Sequence, residues 1–155
     1  MPYFAAVFAQ TEAGWVGTEA DLVEAKVMDD VSDLLRESAL ETGGDPVLLL
    51  VEEDDEWFAV LRLDGEEDPR VFLSDTRAII SSELAGLLYQ FIGAAEEAPD
   101  GGVDGTPDGD RDLLEDLGAD AQELDDLSQR SLPTDALLIV AERAGFADEF
   151  DRLHE

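Results

Sequence analysis

The chain has 155 residues, with 40 Asp and Glu against 9 Lys and Arg, a formal net charge of -31. This length suits one compact domain or a domain with a small appendage, and 45% hydrophobic residues can build a core without disulfides or metals. Such a surface repels nucleic-acid phosphates and anionic lipid, and the absence of cysteine excludes disulfides, thiolate nucleophiles and thiolate metal sites.

The N-terminus runs Met1-Pro2-Tyr3-Phe4-Ala5-Ala6-Val7-Phe8-Ala9 and then meets Gln10, Thr11 and Glu12. It has no basic start and only a short apolar run, so it does not match a signal peptide. No apolar stretch approaches the ~20 residues that cross a bilayer. A cytoplasmic location is the expectation.

Tyr3 to Ala9 predicts a first strand, a turn follows near Thr11–Gly14, and Trp15-Val16-Gly17-Thr18 predicts a second strand paired with the first. Asp29 and Asp30 precede Val31, Leu34 and Leu35 at helical spacing, and Gly43-Gly44 marks where that helix stops. Pro46 to Val51 is a continuous apolar run. With the acidic turn Glu52-Glu53-Asp54-Asp55-Glu56 and the run Trp57 to Leu63, it predicts a hairpin. Arg70-Val71-Phe72-Leu73 is a further strand. Ser74 or Asp75 is placed to cap a helix running to about Ile92.

Residues 1–92 therefore predict β-β-α-β-β-β-α, an α+β domain with a mostly antiparallel sheet and helices on one face. Residues 93–110 are rich in Gly, Pro and acid and predict an acidic linker. Residues 111–155 predict a C-terminal group of short helices. Asp120 with Glu123 makes a capping-box start, Pro133 opens a helix, and Gly145 closes it with Phe146 as the apolar partner of the turn. Helices this short need packing partners.

Catalytic groups are scarce. The one histidine is His154, next to the end of the chain, which leaves no positioned base with an orienting partner. Carboxylates are abundant enough that a hydrolase working through a carboxylate pair is one alternative, although such enzymes also need a deep cleft. A sharper spacing runs from Asp104 to Glu115. Asp104, Thr106, Asp108, Asp110 and Asp112 fall at alternate positions of a calcium loop, Gly109 sits at the sharp turn, and Glu115 ends it. Asp104, Asp108, Asp110, Asp112 and Glu115 are the candidate ligands of a calcium or cation module. Thr106 is a poor ligand, Pro107 stiffens the loop, Arg111 stands where an apolar residue normally sits, and no helix leads in. Apart from this calcium alternative the sequence implies no cofactor.

The basic residues are single: Lys26, Arg36, Arg62, Arg70, Arg77, Arg111, Arg130, Arg143 and Arg152. No basic stripe exists for nucleic acid. The candidate partner-contact residues are instead Glu52, Glu53, Asp54, Asp55 and Glu56 at the hairpin tip, with Trp15 beside its turn as a partly exposed aromatic.

Pro2-Tyr3-Phe4-Ala5-Ala6 with Trp15-Val16, the long segment Asp45 to Val60, and Asp68-Pro69-Arg70-Val71-Phe72-Leu73-Ser74-Asp75 resemble an actinobacterial family, the tRNA adenosine deaminase-associated proteins. Leu113-Leu114-Glu115-Asp116-Leu117-Gly118 and Ala141-Glu142-Arg143-Ala144-Gly145-Phe146 are similar to it too. The resemblance implies a partner, a tRNA adenosine deaminase, and brings no catalytic residues. Deaminase chemistry needs zinc on His and Cys with a glutamate acid/base, which this chain lacks. The sequence thus predicts a non-enzymatic acidic accessory protein that binds a basic protein partner.

Overall fold

The structure, a computed structural model, describes residues 3–20, 22, 27–53, 56–64, 70–75, 78, 82–93, 108–109, 112–130 and 132–154. Its centre is an antiparallel sheet of β1 (Tyr3–Thr11), β2 (Gly14–Glu19), β3 (Val47–Glu53), β4 (Trp57–Leu63), β5 (Arg70–Leu73) and the two-residue β6 (Asp108–Gly109). The spatial order is β2-β1-β3-β4-β5-β6. The helices described over their length are α1 (Met28–Thr42), α2 (Glu83–Gly93), α3 (Ala121–Arg130), α4 (Pro133–Ala144) and α5 (Ala147–His154), with a short 3-10 turn at Glu115–Leu117.

The fold is α+β, as the strand and helix patterns predict. The helices of residues 1–92, α1 and α2, lie on one face as expected, and the C-terminal helices take the other. Both faces of the sheet are covered. Val7, Leu49, Leu61 and Leu73 point to one side and pack with Val31 and Leu35 of α1 and Leu88 of α2. Phe8, Leu50, Phe58 and Phe72 point to the other side and pack with Leu124, Leu137, Val140 and Phe150 of α3, α4 and α5 and with Phe146 between the last two. The cause is in the strands. Val47 to Val51 and Trp57 to Leu61 are buried at every residue rather than at every second one. A strand apolar on both faces needs a layer on each.

Local chemistry fixes the helix ends. Asp30 accepts the Val27 N–H at 3.3 Å at the start of α1. Gly43 (φ 71°) ends α1 by donating its N–H to the Ala39 carbonyl. After β5 the Ala78 N–H donates to the Asp75 carbonyl at 3.1 Å, and Ala78 is helical. Ser74 is buried, and its hydroxyl accepts the Phe58 N–H at 2.9 Å, which extends the β4–β5 pairing. The helix α2 is opened by Ser82, whose Oγ accepts the Ala85 N–H. Asp120 caps α3 through the Glu123 N–H. Pro133 stands in the first turn of α4. Gly145 (φ 103°) and Phe146 both donate N–H groups to the Ala141 carbonyl, which turns the chain and drops the Phe146 ring into the core.

Of the expected linker, Asp108–Gly109 forms β6 against Leu73 and Phe72 of β5. Residues 94–107 lie outside the described residues.

Candidate interaction surface

Two elements carry the sequence-derived contact residues. At the β3–β4 tip, Glu52 and Glu53 are half-buried and Glu56 is exposed. The Glu56 N–H donates to the Glu53 carbonyl at 3.0 Å and closes the turn. The Glu53 carboxylate accepts the Trp57 indole N–H at 3.3 Å. Asp54 and Asp55 lie outside the described residues. The tip therefore presents Glu56 outward and holds Glu53 against the first core. Trp15 sits elsewhere, on β2. It is half-buried, packs at a tilt against Phe146 with centroids 4.8 Å apart, and donates its indole N–H to the Ala144 carbonyl at 3.1 Å. That bond satisfies one of the last carbonyls of α4. Trp15 thus ties β2 to the α4–α5 corner.

A row of carboxylates along α1 was not among the sequence-derived candidates. Asp29, Asp33, Glu37 and Glu41 recur at every fourth residue of α1, all exposed, with Asp30 and the 86% exposed Leu40 beside them. At about 1.5 Å rise per residue, neighbouring carboxylates in that row stand roughly 6 Å apart along the axis. The signal was present in the sequence as the polar stripe opposite Val31 and Leu35. On the opposite layer, Asp126 of α3, Asp135 and Glu142 of α4, and Asp148 and Asp151 of α5 are exposed. Acid therefore covers both helical layers.

Several cations are already engaged. Arg62 is 6% exposed, an unusual place for an arginine. It lies on the second face of β4 and reaches the C-terminal segment. Its guanidinium donates to both Asp116 carboxylate oxygens, to the Leu113 carbonyl at 2.7 Å, and to Asp64 at 3.0 Å. The Arg62 hydrogen bonds hold the Asp116 carboxyl below the usual carboxylate range. They raise the Arg62 guanidinium further above its ordinary value, against the opposing effect of burial. Arg70 shares Asp64 at 2.9 Å. Arg143 forms a fork with Glu123 that raises its own pKa and joins α3 to α4. Sequence reasoning treated Arg62 as one scattered charge. The available signal was a lone arginine inside the otherwise apolar run Trp57 to Leu63, where a charge survives only if paired.

Of the five candidate calcium ligands, only Asp112 and Glu115 have described side chains. Asp104 and Asp110 lie outside the described residues. Asp108 belongs to β6, so its backbone is held in the sheet. Asp112 and Glu115 are exposed, and the Asp112 carbonyl accepts the Glu115 N–H at 3.1 Å in a turn. Among the described residues no group of three or more His, Asp or Glu side chains could hold a metal ion. Among the same residues no helix is long and apolar enough to cross a membrane.

A family model described as Rv3753c-like tRNA adenosine deaminase-associated protein matches residues 3–147. That span runs from the first residue of β1 to the first residue of α5, so it takes in both layers and the Arg62 clamp. No curated protein and no solved structure matches the chain.

Proposed function

The chain belongs to the Rv3753c-like tRNA adenosine deaminase-associated protein family, and we propose that it is a non-enzymatic accessory protein that docks on a basic partner, the tRNA adenosine deaminase. The family description names association with the deaminase and not the deaminase itself. The observation that carries the reading is the charge: -31 overall, exposed on both helical layers, with Arg62, Arg70 and Arg143 engaged by carboxylates of the chain itself. A protein that binds tRNA presents basic surface to phosphates. An acidic surface is attracted to such a face and is repelled by the RNA. The contact groups on this reading are the hairpin tip, Glu52 to Glu56, and the α1 row of Asp29, Asp33, Glu37 and Glu41.

The direct test is purification of the tagged chain from its own host at low salt. The deaminase should co-elute and should leave the complex as salt rises. If no deaminase is recovered, and the two purified proteins stay apart at ~10 μM, the proposal fails.

A further inference from the structure

The sheet has two edges, and the chain treats them differently. The β5 edge is closed by its own acidic segment, because Asp108–Gly109 pairs with Leu73 and Phe72. The β2 edge has no such cover among the described residues. Its hydrogen-bond phase follows from one contact. The Ala20 N–H donates to the Ala5 carbonyl at 2.9 Å, and the register pairs Ala6 with Glu19, Phe8 with Gly17 and Gln10 with Trp15. In an antiparallel ladder, bonded and non-bonded pairs alternate. Gly14, Val16 and Thr18 therefore bond to β1, while the N–H and C=O groups of Trp15, Gly17 and Glu19 point away from the sheet. No described backbone hydrogen bond from elsewhere reaches those groups.

Edge strands are normally blunted by Lys, Pro, a bulge or a covering element. Within β2 there is neither lysine nor proline, and its register with β1 is continuous. Val16 on its outer face is 42% exposed. The edge is also rigid. Gly17 lies under the Phe8 ring and Leu153, where an added Cβ would stand 2.8 Å from Phe8. Trp15 is fastened to α4.

We infer that β2 is a docking edge that accepts an extended, basic segment of a partner as an added antiparallel or parallel strand. Main-chain bonds to Trp15, Gly17 and Glu19 would hold the segment, with its side chains alternating between the Val16–Thr18 face and the α5 face. The occupant is chosen by charge. Glu12 precedes the strand and Glu19 ends it, and α5 beside it exposes Asp148 and Asp151 against one cation, Arg152. A second copy of this chain would bring the same acids and another net charge of -31 to the edge. A lysine- or arginine-bearing strand meets complementary charge instead. This deepens the partner reading above and rests on it for the choice of a basic occupant.

The test follows the amide hydrogens of the full chain by exchange. The two ligands are the deaminase and, separately, a synthetic peptide of alternating Lys and Val matching β2 in length. Binding at this edge raises protection at Trp15, Gly17 and Glu19 by tenfold or more and leaves the already bonded Val16 and Thr18 little changed. Glu19→Pro removes one outward N–H at the end of the strand, and Val16→Lys adds a like charge beside the occupant. Each should weaken binding about tenfold while leaving the thermal transition close to that of the parent. Complex formation with no new protection at those amides, or unaffected by both variants, overturns the edge while leaving the accessory role standing. Failure of the deaminase to bind at all, with the peptide still protecting the edge, overturns the role and keeps the edge. Protection that rises with the protein's own concentration, together with a dimer in sedimentation, shows a second copy as the occupant and overturns the basic-segment inference.

Discussion

Arg62 joins the sheet to the C-terminal segment through a buried side chain. Burying a guanidinium is costly unless it is paired and its donors are used. Here Asp116, Asp64 and the Leu113 carbonyl use them, and two of those three belong to the C-terminal segment. Arg62→Ala should lower unfolding free energy by about 2–4 kcal/mol, less than a fully buried pair would, because Asp116 is largely exposed. Asp116→Asn should cost about 1–2 kcal/mol. The pH dependence follows from the direction of the shift. The Asp116 carboxyl titrates below its unfolded value, so its contribution is complete above the unfolded pKa and is lost as pH falls through the folded one. The stability gap between the parent and Asp116→Asn should therefore be constant near neutrality and close in acid, as urea titrations at a series of pH values would show. A gap independent of pH would mean that the pair contributes nothing. Phe146 offers a second residue-scale check. It is fully buried, and it stacks on Phe8 at 4.4 Å. Phe146→Ala should cost about 3–5 kcal/mol.

At the scale of elements, the strands and most helix boundaries were legible. The turn at Thr11–Gly14, the break at Gly43, Pro133 at a helix start and the Gly145–Phe146 stop each have a local cause in their own residues. What the pattern of single segments did not disclose was pairing across distance. The C-terminal helices fill the second face of the sheet because Phe4, Phe8, Phe58 and Phe72 leave an apolar surface there, which Phe146 and Phe150 complete. The continuous burial of Val47 to Val51 held that information, since a one-faced strand alternates. The roles of Arg62 and Ser74 are hidden for the same reason: their partners, Asp116 and Phe58, are distant in sequence. The candidate contact site was half legible. Acidic runs such as Glu52 to Glu56 are visible as runs, whereas the α1 row appears only once the polar face of the helix is wound at 3.6 residues per turn. Removing residues 111–155 should expose the Phe8–Phe58–Phe72 face and yield an aggregating or unfolded N-terminal part, measured as lost cooperativity in thermal unfolding and binding of a hydrophobic dye. A soluble, cooperatively folding fragment would show that the second layer is dispensable.

For the whole molecule, charge acts in two ways. A net -31 on one small chain repels itself, so added salt should stabilise the fold. Raising monovalent salt from about 20 mM to about 300 mM should lift Tm by roughly 5 °C, with the screening of Arg143–Glu123 and similar exposed pairs too weak to reverse it. The same salt should weaken any contact made through the carboxylate layers. Stability and binding should thus move in opposite directions with ionic strength, a signature that a purely solubilising surface would not give. The measurement that addresses the central claim most directly is a titration of the tRNA adenosine deaminase with this chain by calorimetry, at low and at high salt. The account predicts a stoichiometric complex at micromolar concentration near ~50 mM salt and a loss of affinity of tenfold or more near ~300 mM. No complex at low salt, or one whose affinity ignores salt, would contradict it.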